Sequence, residues 1–501
     1  MMARYFHTAV QFLFFMLNSM EDVVYSDSAP NELPKLLLIS MDGFRYDYLD
    51  RIAPVNKSNF QYFIDQGVRA KWVENVFPSV TFPNHYTIIT GLYPENHGVV
   101  ENRFYDPVFN ETFLFENSNQ NFESKWYDMG AEPVYVMNTK AGNGRLSGVV
   151  MWPAGLAAVK CTPPDRFIPG AYWINKSIEF EQRIDYIIQW FSDPDYPINL
   201  GLLYFEEPDE TGHPYGPESA EVNNVIAKLN EALGILKKRL ASKKLLEKIN
   251  IIITADHGML THPQNKTINL DDKLDRSWYR LTGTDKNMLL VQVFPVKGFE
   301  DKVYNNLKNY SNLHVYRKDD KDLKDLHYND NRRIMPIILE PAPGYVIGTN
   351  DSLSGYTTVG VHGYDPAKVK EMHPFFIASG PAFKKGYSAG PIAMVDLYPL
   401  MCHILGIKPA PNNGSLENIQ HLLVSPASLD KANIFSVTIV TYILVFITLA
   451  SVAGVFSIFA VRHSKTRHIY MFSTKNSESL SGYNPGAKQR LLDSAGSDDE
   501  I

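Results

Sequence analysis

Short, almost unbroken apolar runs limit this chain's fold more than any other feature. They lie at residues 36–40, 149–152, 200–205, 251–254 and 375–378, each four to six residues long. Runs of that length without polar alternation are the pattern of strands buried on both faces. Between two of them, Val222, Val225, Ile226, Leu229, Leu233, Leu236 and Leu240 recur at steps of three and four. That spacing predicts an amphipathic helix of about two dozen residues, entered through Pro217-Glu218-Ser219. Alternation of strand and helix predicts an α/β domain with a mainly parallel central sheet flanked by helices.

Composition fits a large core. The 501 residues are 45% hydrophobic and 12% aromatic, with 48 Lys+Arg against 55 Asp+Glu, a net charge of −7. No basic block is present to neutralise phosphates, so nucleic-acid binding is not expected. Two cysteines, Cys161 and Cys402, exclude a disulfide-stapled scaffold and any Cys-based zinc or iron–sulfur site. Scarce cysteine would also suit a reducing compartment, but the ends of the chain oppose that. Residues 1–26 carry Arg4 and His7 ahead of an apolar stretch, the layout of a signal peptide. Residues 434–461 are apolar and uncharged, long enough for a transmembrane helix, and Arg462, Lys465 and Arg467 follow at once. The positive-inside asymmetry then expects a single-pass type I protein with its N-terminal mass outside the plasma membrane. Asn56, Asn110, Asn175, Asn265, Asn309, Asn350 and Asn413 each open an Asn-x-Ser/Thr sequon, all before the apolar stretch, as N-glycosylation of an exterior domain requires. The expected organisation is a signal peptide (1–26), one α/β domain (34–420), a stalk (421–433), a transmembrane helix (434–461) and a cytoplasmic tail (462–501).

In open parallel sheets ligands sit beyond the carboxyl ends of the strands. There this sequence concentrates Asp and His. Met41-Asp42-Gly43-Phe44-Arg45 follows the first run, Glu207-Pro208-Asp209-Glu210-Thr211-Gly212-His213 the third, and Asp256-His257-Gly258-Met259 the fourth; His362-Gly363-Tyr364-Asp365 adds a further His. Carboxylates with neutral imidazoles suit Zn2+ or a similar divalent ion. Asp209 and His213 converge on one ion if the loop turns at Gly212, and Asp256 with His257 do so if the backbone turns sharply at Gly258. Each pair alone is an ordinary turn sequence; four together at corresponding strand ends are not.

With Thr81-Phe82-Pro83-Asn84-His85-Tyr86 added, these motifs closely resemble the nucleotide pyrophosphatase/phosphodiesterase family of ectoenzymes, within the alkaline phosphatase superfamily. The resemblance runs in order from about Lys35 to Leu405 and is closest to the short type I members, which lack Cys-rich modules. It implies an alkaline-phosphatase-like core, with Thr81 as nucleophile. It further implies two Zn2+ per chain, one held by Asp42, Thr81, Asp256 and His257, the other by Asp209, His213 and His362. Two zinc ions bring +4 against −3 from the three aspartates, so ionising Thr81 neutralises the site. Asn102 matches the family position whose amide donates to a phosphate oxygen, and Phe82 and Tyr172 are candidates to sandwich a nucleobase.

The implied activity is hydrolysis of extracellular nucleotides, such as dinucleoside polyphosphates, NAD and ATP-like molecules, to 5′-mononucleotides through a phospho-threonine. Two departures bear on substrate preference and cross-linking. Many nucleotide-type members carry Lys where this chain has Val80, and a Cys pair common after Asp-His-Gly-Met is replaced by Leu260-Thr261-His262-Pro263-Gln264. A lysophospholipase-type diesterase using the same metals, and a catalytically silent surface receptor on the same fold, are the alternatives.

Overall fold

The computed structural model describes residues 32–51, 58–170, 178–282 and 288–424, and part of 443–464. The expected signal peptide, Asn56, Tyr172 and Asn175 lie outside the described residues. The chain divides into a compact unit ending at Val424 and a second unit, Ser425–Ile501.

An eight-stranded sheet organises the first unit. Its strands are β1 (Lys35–Met41), β2 (Gly67–Ala70), β3 (Ser147–Val150), β4 (Arg166–Ile168), β5 (Leu200–Phe205), β6 (Ile249–Thr254), β7 (Phe376–Ser379) and β8 (Tyr387–Ala389). In space they run β8–β2–β7–β6–β1–β5–β3–β4. Only β7 runs against the rest, pairing antiparallel with both β6 and β2. Every residue of β1, β5 and β6 is buried, which is why these strands read as unbroken apolar runs. β1 lies between β6 and β5 in parallel register, Ser40 opposite both Thr254 and Tyr204. The three strands therefore end at one rim and deliver their following residues to the same place.

Helices flank the sheet. Those used below are α1 (Thr81–Thr90), α2 (Phe180–Phe191), α3 (Asp209–Tyr215), α4 (Ala220–Ser242) and α5 (Leu397–Leu405). α4 is the helix expected from the apolar periodicity; Ser219 caps it by accepting from the Val222 N–H. Gly148 and Gly201 let α2 sit close on the sheet, since a Cβ there would meet Trp190 at 2.6 Å and Phe191 at 2.8 Å.

Two expectations need correction, and one element was not anticipated. The apolar run at 149–152 leaves the sheet at Val150, because Met151 turns out of the strand with φ +59°. A second, four-stranded antiparallel sheet (Tyr279–Leu281, Val291–Pro295, Ile337–Pro341, Leu313–Arg317) stands beside the first, with its own core around Val293, Val303 and Leu339. The folded unit also runs past His421, where the stalk was expected to begin. Leu422 is fully buried, and its carbonyl accepts from Lys384 N at 3.0 Å.

The second unit's described residues are helical and exposed, Ile443 and Phe456 among them. Among the described residues no helix is long and apolar enough to cross a membrane. Most of the expected span, 434–461, lies outside them.

Candidate active site

β1 runs directly into Asp42, whose N–H continues the ladder to Phe205 O at 2.9 Å. Gly43 follows with φ +64°; a Cβ there would lie 2.8 Å from the Asp209 Cβ. Glycine is required on both counts, and the close approach lets the Asp209 N–H donate to Asp42 O at 3.1 Å. The ends of β1 and β5 are thus joined, with Asp42 and Asp209 side by side.

Asp209 and His213 come together differently from the expectation. They sit one helical turn apart on α3, with His213 Nε2 3.1 Å from Asp209 Oδ2, so the i,i+4 spacing and not a loop brings them together. Gly212 serves packing: the carbonyl it carries lies 2.3 Å from where a Cβ on Gly360 would be. Gly258 likewise admits the Glu371 carbonyl, which would lie 2.0 Å from a Cβ.

The three histidines share one arrangement. Nδ1–H of His257 donates to Gly258 O, that of His213 to Gly360 O and that of His362 to Ser79 O, at 2.9, 2.8 and 2.9 Å. Each ring is thereby fixed with Nε2 facing the carboxylates, as ligating imidazoles require. His257 Nε2 lies 3.0 Å from Asp256 Oδ2, 3.5 Å from Asp42 Oδ1 and 3.3 Å from Thr81 Oγ1. His362 Nε2 lies 3.5 Å from Asp209 Oδ1, and its ring stacks on His257 at 3.6 Å.

Among the described residues, Asp42 Oδ1, Asp209 Oδ1 and Asp256 Oδ2 are buried without a hydrogen-bond partner. The opposite oxygens of all three are engaged. Tyr204 O–H donates to Asp42 Oδ2 at 2.5 Å, Gly43 N–H to Asp256 Oδ1 at 3.1 Å, and His213 faces Asp209 Oδ2. One orphaned oxygen per aspartate, turned toward imidazole nitrogens, is what a cation would satisfy. Asp42, Asp256 and His257 form one group able to hold an ion; Asp209, His257 and His362 form another. His257 therefore lies between the groups, while His213 reaches the second through Asp209.

Electrostatics agrees. Burial, then the like charges of Asp256 and Asp209, push the Asp42 carboxyl well above the usual range. Burial also opposes ionisation of Asp209 and Asp256, but His213 with His362, and His257 with His85, override it and carry both well below that range. Burial disfavours charged rings at His213 and His257, yet Asp209 lifts His213 to about 9 and Asp256 raises His257. Burial and the neighbouring His257 push His362 down to about 3. Protons here occupy the role of a cation, and metal binding to such a site displaces them.

Thr81 opens α1, facing this cluster. Asn102 Oδ1 accepts from the Phe82 N–H at 2.8 Å, which places its amide beside the nucleophile candidate. Phe82 is buried, packs on Phe113 and Phe115, and lines a pocket shared with Asp42, Thr81, Asn102 and Trp152. Exposed sequon positions are Asn110, Asn265, Asn309, Asn350 and Asn413.

Sequence reasoning did not assign roles to several supporting residues. Tyr204 orients Asp42 from inside an apolar run. His85 places Nδ1 2.9 Å from Thr81 O and Nε2 2.8 Å from Ser40 Oγ. Ser79 holds His362 through its carbonyl and donates from Oγ to Tyr364 O. For His85 and Ser79 the only signal was their place in the Thr81 segment.

The profile of the type I phosphodiesterase/nucleotide pyrophosphatase family matches residues 36–365. Human ectonucleotide pyrophosphatase/phosphodiesterase family member 5 is 41% identical over 392 residues, 78% of each chain. Human bis(5′-adenosyl)-triphosphatase ENPP4 is 42% identical over 401 residues, 80% of this chain and 84% of that protein. Among solved structures, murine ectonucleotide pyrophosphatase/phosphodiesterase 5, as an inactive threonine-to-alanine variant in complex with AMP, superimposes with a TM-score of 0.72 at 39% identity. It covers 78% of this chain and all of that one. With the Asp/His/Thr cluster at the strand ends and these relatives, the chain belongs to the type I phosphodiesterase/nucleotide pyrophosphatase family and is a phosphoric diester hydrolase.

Proposed function

We propose that this protein is a zinc-dependent ecto-phosphodiesterase that hydrolyses extracellular nucleotides to 5′-mononucleotides, with Thr81 as nucleophile. The observation that carries this reading is the gathering of three orphaned carboxylate oxygens around the stacked rings of His257 and His362, with His257 Nε2 3.3 Å from Thr81 Oγ1. Asp42, Asp256, His257 and Thr81 would hold one Zn2+, and Asp209, His213 and His362 the other. When bound, the two ions supply the positive charge that keeps Thr81 ionised near neutral pH and stabilises the attacking and leaving oxygens.

The chain's own residues do the rest. Thr81 Oγ1 attacks phosphorus, the bond to the leaving phosphate or alcohol oxygen breaks, and a nucleotidyl ester on Thr81 forms. Water then attacks the same phosphorus, releasing the 5′-mononucleotide and restoring the hydroxyl. Asn102, anchored through Oδ1 on Phe82 N–H, directs its amide hydrogens to the phosphate oxygen. Phe82 and the pocket it lines with Trp152 would receive the base; Tyr172, outside the described residues, is a candidate partner for the base from the sequence alone.

A relative named as a bis(5′-adenosyl)-triphosphatase supports dinucleoside polyphosphates as the first substrate class, with NAD and ATP-like nucleotides beside it. Val80 is buried and uncharged, so no cation at this position draws longer phosphate chains. The same reading makes residues 1–26 a signal peptide, 434–461 a membrane anchor and the α/β unit an extracellular glycoprotein. Five sequon asparagines on the surface are consistent with it. Thr81→Ala should lower kcat for 4-nitrophenyl-TMP at least ~10³-fold, and a chelator should abolish turnover until zinc is restored. Undiminished turnover in either test would sink the mechanism.

A further inference from the structure

Arg45 lies three residues after Asp42, is 5% exposed, and its guanidinium bonds both to its own segment and to two other segments around the site. Its Nε and Nη2 donate to the Asp47 carboxylate at 2.6 and 3.1 Å. Its Nη1 donates to Met259 O, two residues beyond His257, at 3.0 Å, and to Glu218 Oε1 at 3.0 Å. Its stem presses on Gly258, where an added Cβ would come within 2.9 Å of Arg45 Cγ.

Glu218 extends the link. It precedes the Ser219 cap of α4, just beyond α3 with Asp209 and His213. Its other oxygen accepts from Thr261 Oγ1 at 2.6 Å. Thr261 pairs antiparallel with Gly360, whose carbonyl fixes His213 Nδ1 and which stands two residues before His362. One guanidinium and one carboxylate therefore connect all four segments that carry Asp42, Asp209/His213, Asp256/His257 and His362. Neither touches a candidate ligand atom.

We propose that Arg45 and Glu218 form the positioning pair that sets the spacing of the metal-holding side chains, an inference that rests on the zinc-dependent reading above. A planar, forked donor is needed to reach three acceptors in fixed directions; lysine keeps the charge and loses the geometry. The pair therefore controls ion retention and kcat more than substrate binding.

The test uses the full chain in detergent, with Arg45→Lys, Glu218→Gln and Thr81→Ala beside the wild type. Zinc per chain is measured across a chelator series, with kcat and KM for 4-nitrophenyl-TMP and the melting temperature. Arg45→Lys should release zinc at ~10–100-fold lower chelator strength and lose a similar factor in kcat, with KM within about twofold and partial rescue by excess zinc. Glu218→Gln should shift the same way by a smaller factor, and because Glu218 is exposed it decides the question should Arg45→Lys not fold. Lowered melting temperatures with wild-type kcat and zinc retention would reduce the pair to a fold stabiliser and overturn the proposal. Thr81→Ala that keeps zinc and loses turnover upholds the phosphodiesterase reading whatever Arg45 does. A wild type without zinc or turnover overturns both.

Discussion

Glu101 shows what burial does to a single acid beside the site. It is 4% exposed, and its carboxylate accepts from the Asn102 N–H at 2.8 Å. Burial raises its pKa from 4.5 to about 7, although that N–H and Arg103 favour the ion. The folded value lies above the unfolded one, so between about pH 4.5 and 7 the native state binds the extra proton. Stability from this group is present at low pH and lost as pH rises through 7, by up to about 3 kcal/mol. Glu101→Gln keeps an acceptor for Asn102 and removes the titration. Thermal melts should show the variant matching wild type near pH 4.5 and gaining several degrees at pH 8. Equal gains at both pH values would contradict the assignment. His97, pushed down to about 3 by burial, stays neutral in the native state while the unfolded imidazole charges below about 6.5, so it adds a slope of the opposite sign that wild type and variant share and that cancels in their comparison.

At the scale of elements, site geometry is set by close backbone contacts as much as by side chains. The two-residue strand Gly360–Val361 touches α3 so closely that a Cβ on Gly360 would meet Gly212 O at 2.3 Å and Met259 Sδ at 2.4 Å. Gly360→Ala must push α3 away and loosen the His213–Gly360 hydrogen bond. The expected cost is roughly 1–3 kcal/mol of stability, with kcat reduced at least tenfold by displacement of His213 and Asp209. Gly390→Ala, where an added Cβ meets nothing, should leave both unchanged; equal effects of the two substitutions would deny the contact its role. The same contact explains what could be read from sequence. Strands β1, β5 and β6 and helix α4 declare themselves because burial dictates unbroken or 3.6-spaced apolar residues. The strand-end Asp and His were legible because those strands were. Helix α3 was not, since Asp-Glu-Thr-Gly-His-Pro-Tyr carries Gly and Pro and reads as a loop until tertiary contacts hold it. Strands β2 and β8 are too short, and the strands of the second sheet too mixed, to leave a period-two signature. Tyr204 with Asp42, and Arg45 with Glu218, are pairings across more than 160 residues that composition and periodicity do not encode.

For the whole molecule, charge and glycosylation signals make one joint statement about orientation. All seven sequons precede residues 434–461 and none follows. The five that are described are exposed, and none lines the catalytic pocket. Arg462, Lys465 and Arg467 come directly after the apolar stretch, whose flank before it holds only Asp430 and Lys431. If residues 434–461 anchor the chain as proposed, the positive-inside rule would put the tail in the cytosol and the α/β unit outside. Few cysteines do not oppose this, because a large buried core holds the unit together; Cys402 is buried and Cys161 is exposed, both as free thiols. An epitope tag after Ile501 tests the orientation in intact cells. Protease added outside should remove the catalytic unit and leave the tag protected, and amidase treatment of the released unit should increase its gel mobility. Replacing the five exposed asparagines with Gln should remove most of that change, since glycans need accessible acceptors. A tag digested together with the catalytic unit, or a released unit whose mobility amidase does not alter, would overturn the extracellular assignment while leaving the chemistry at Thr81 untouched.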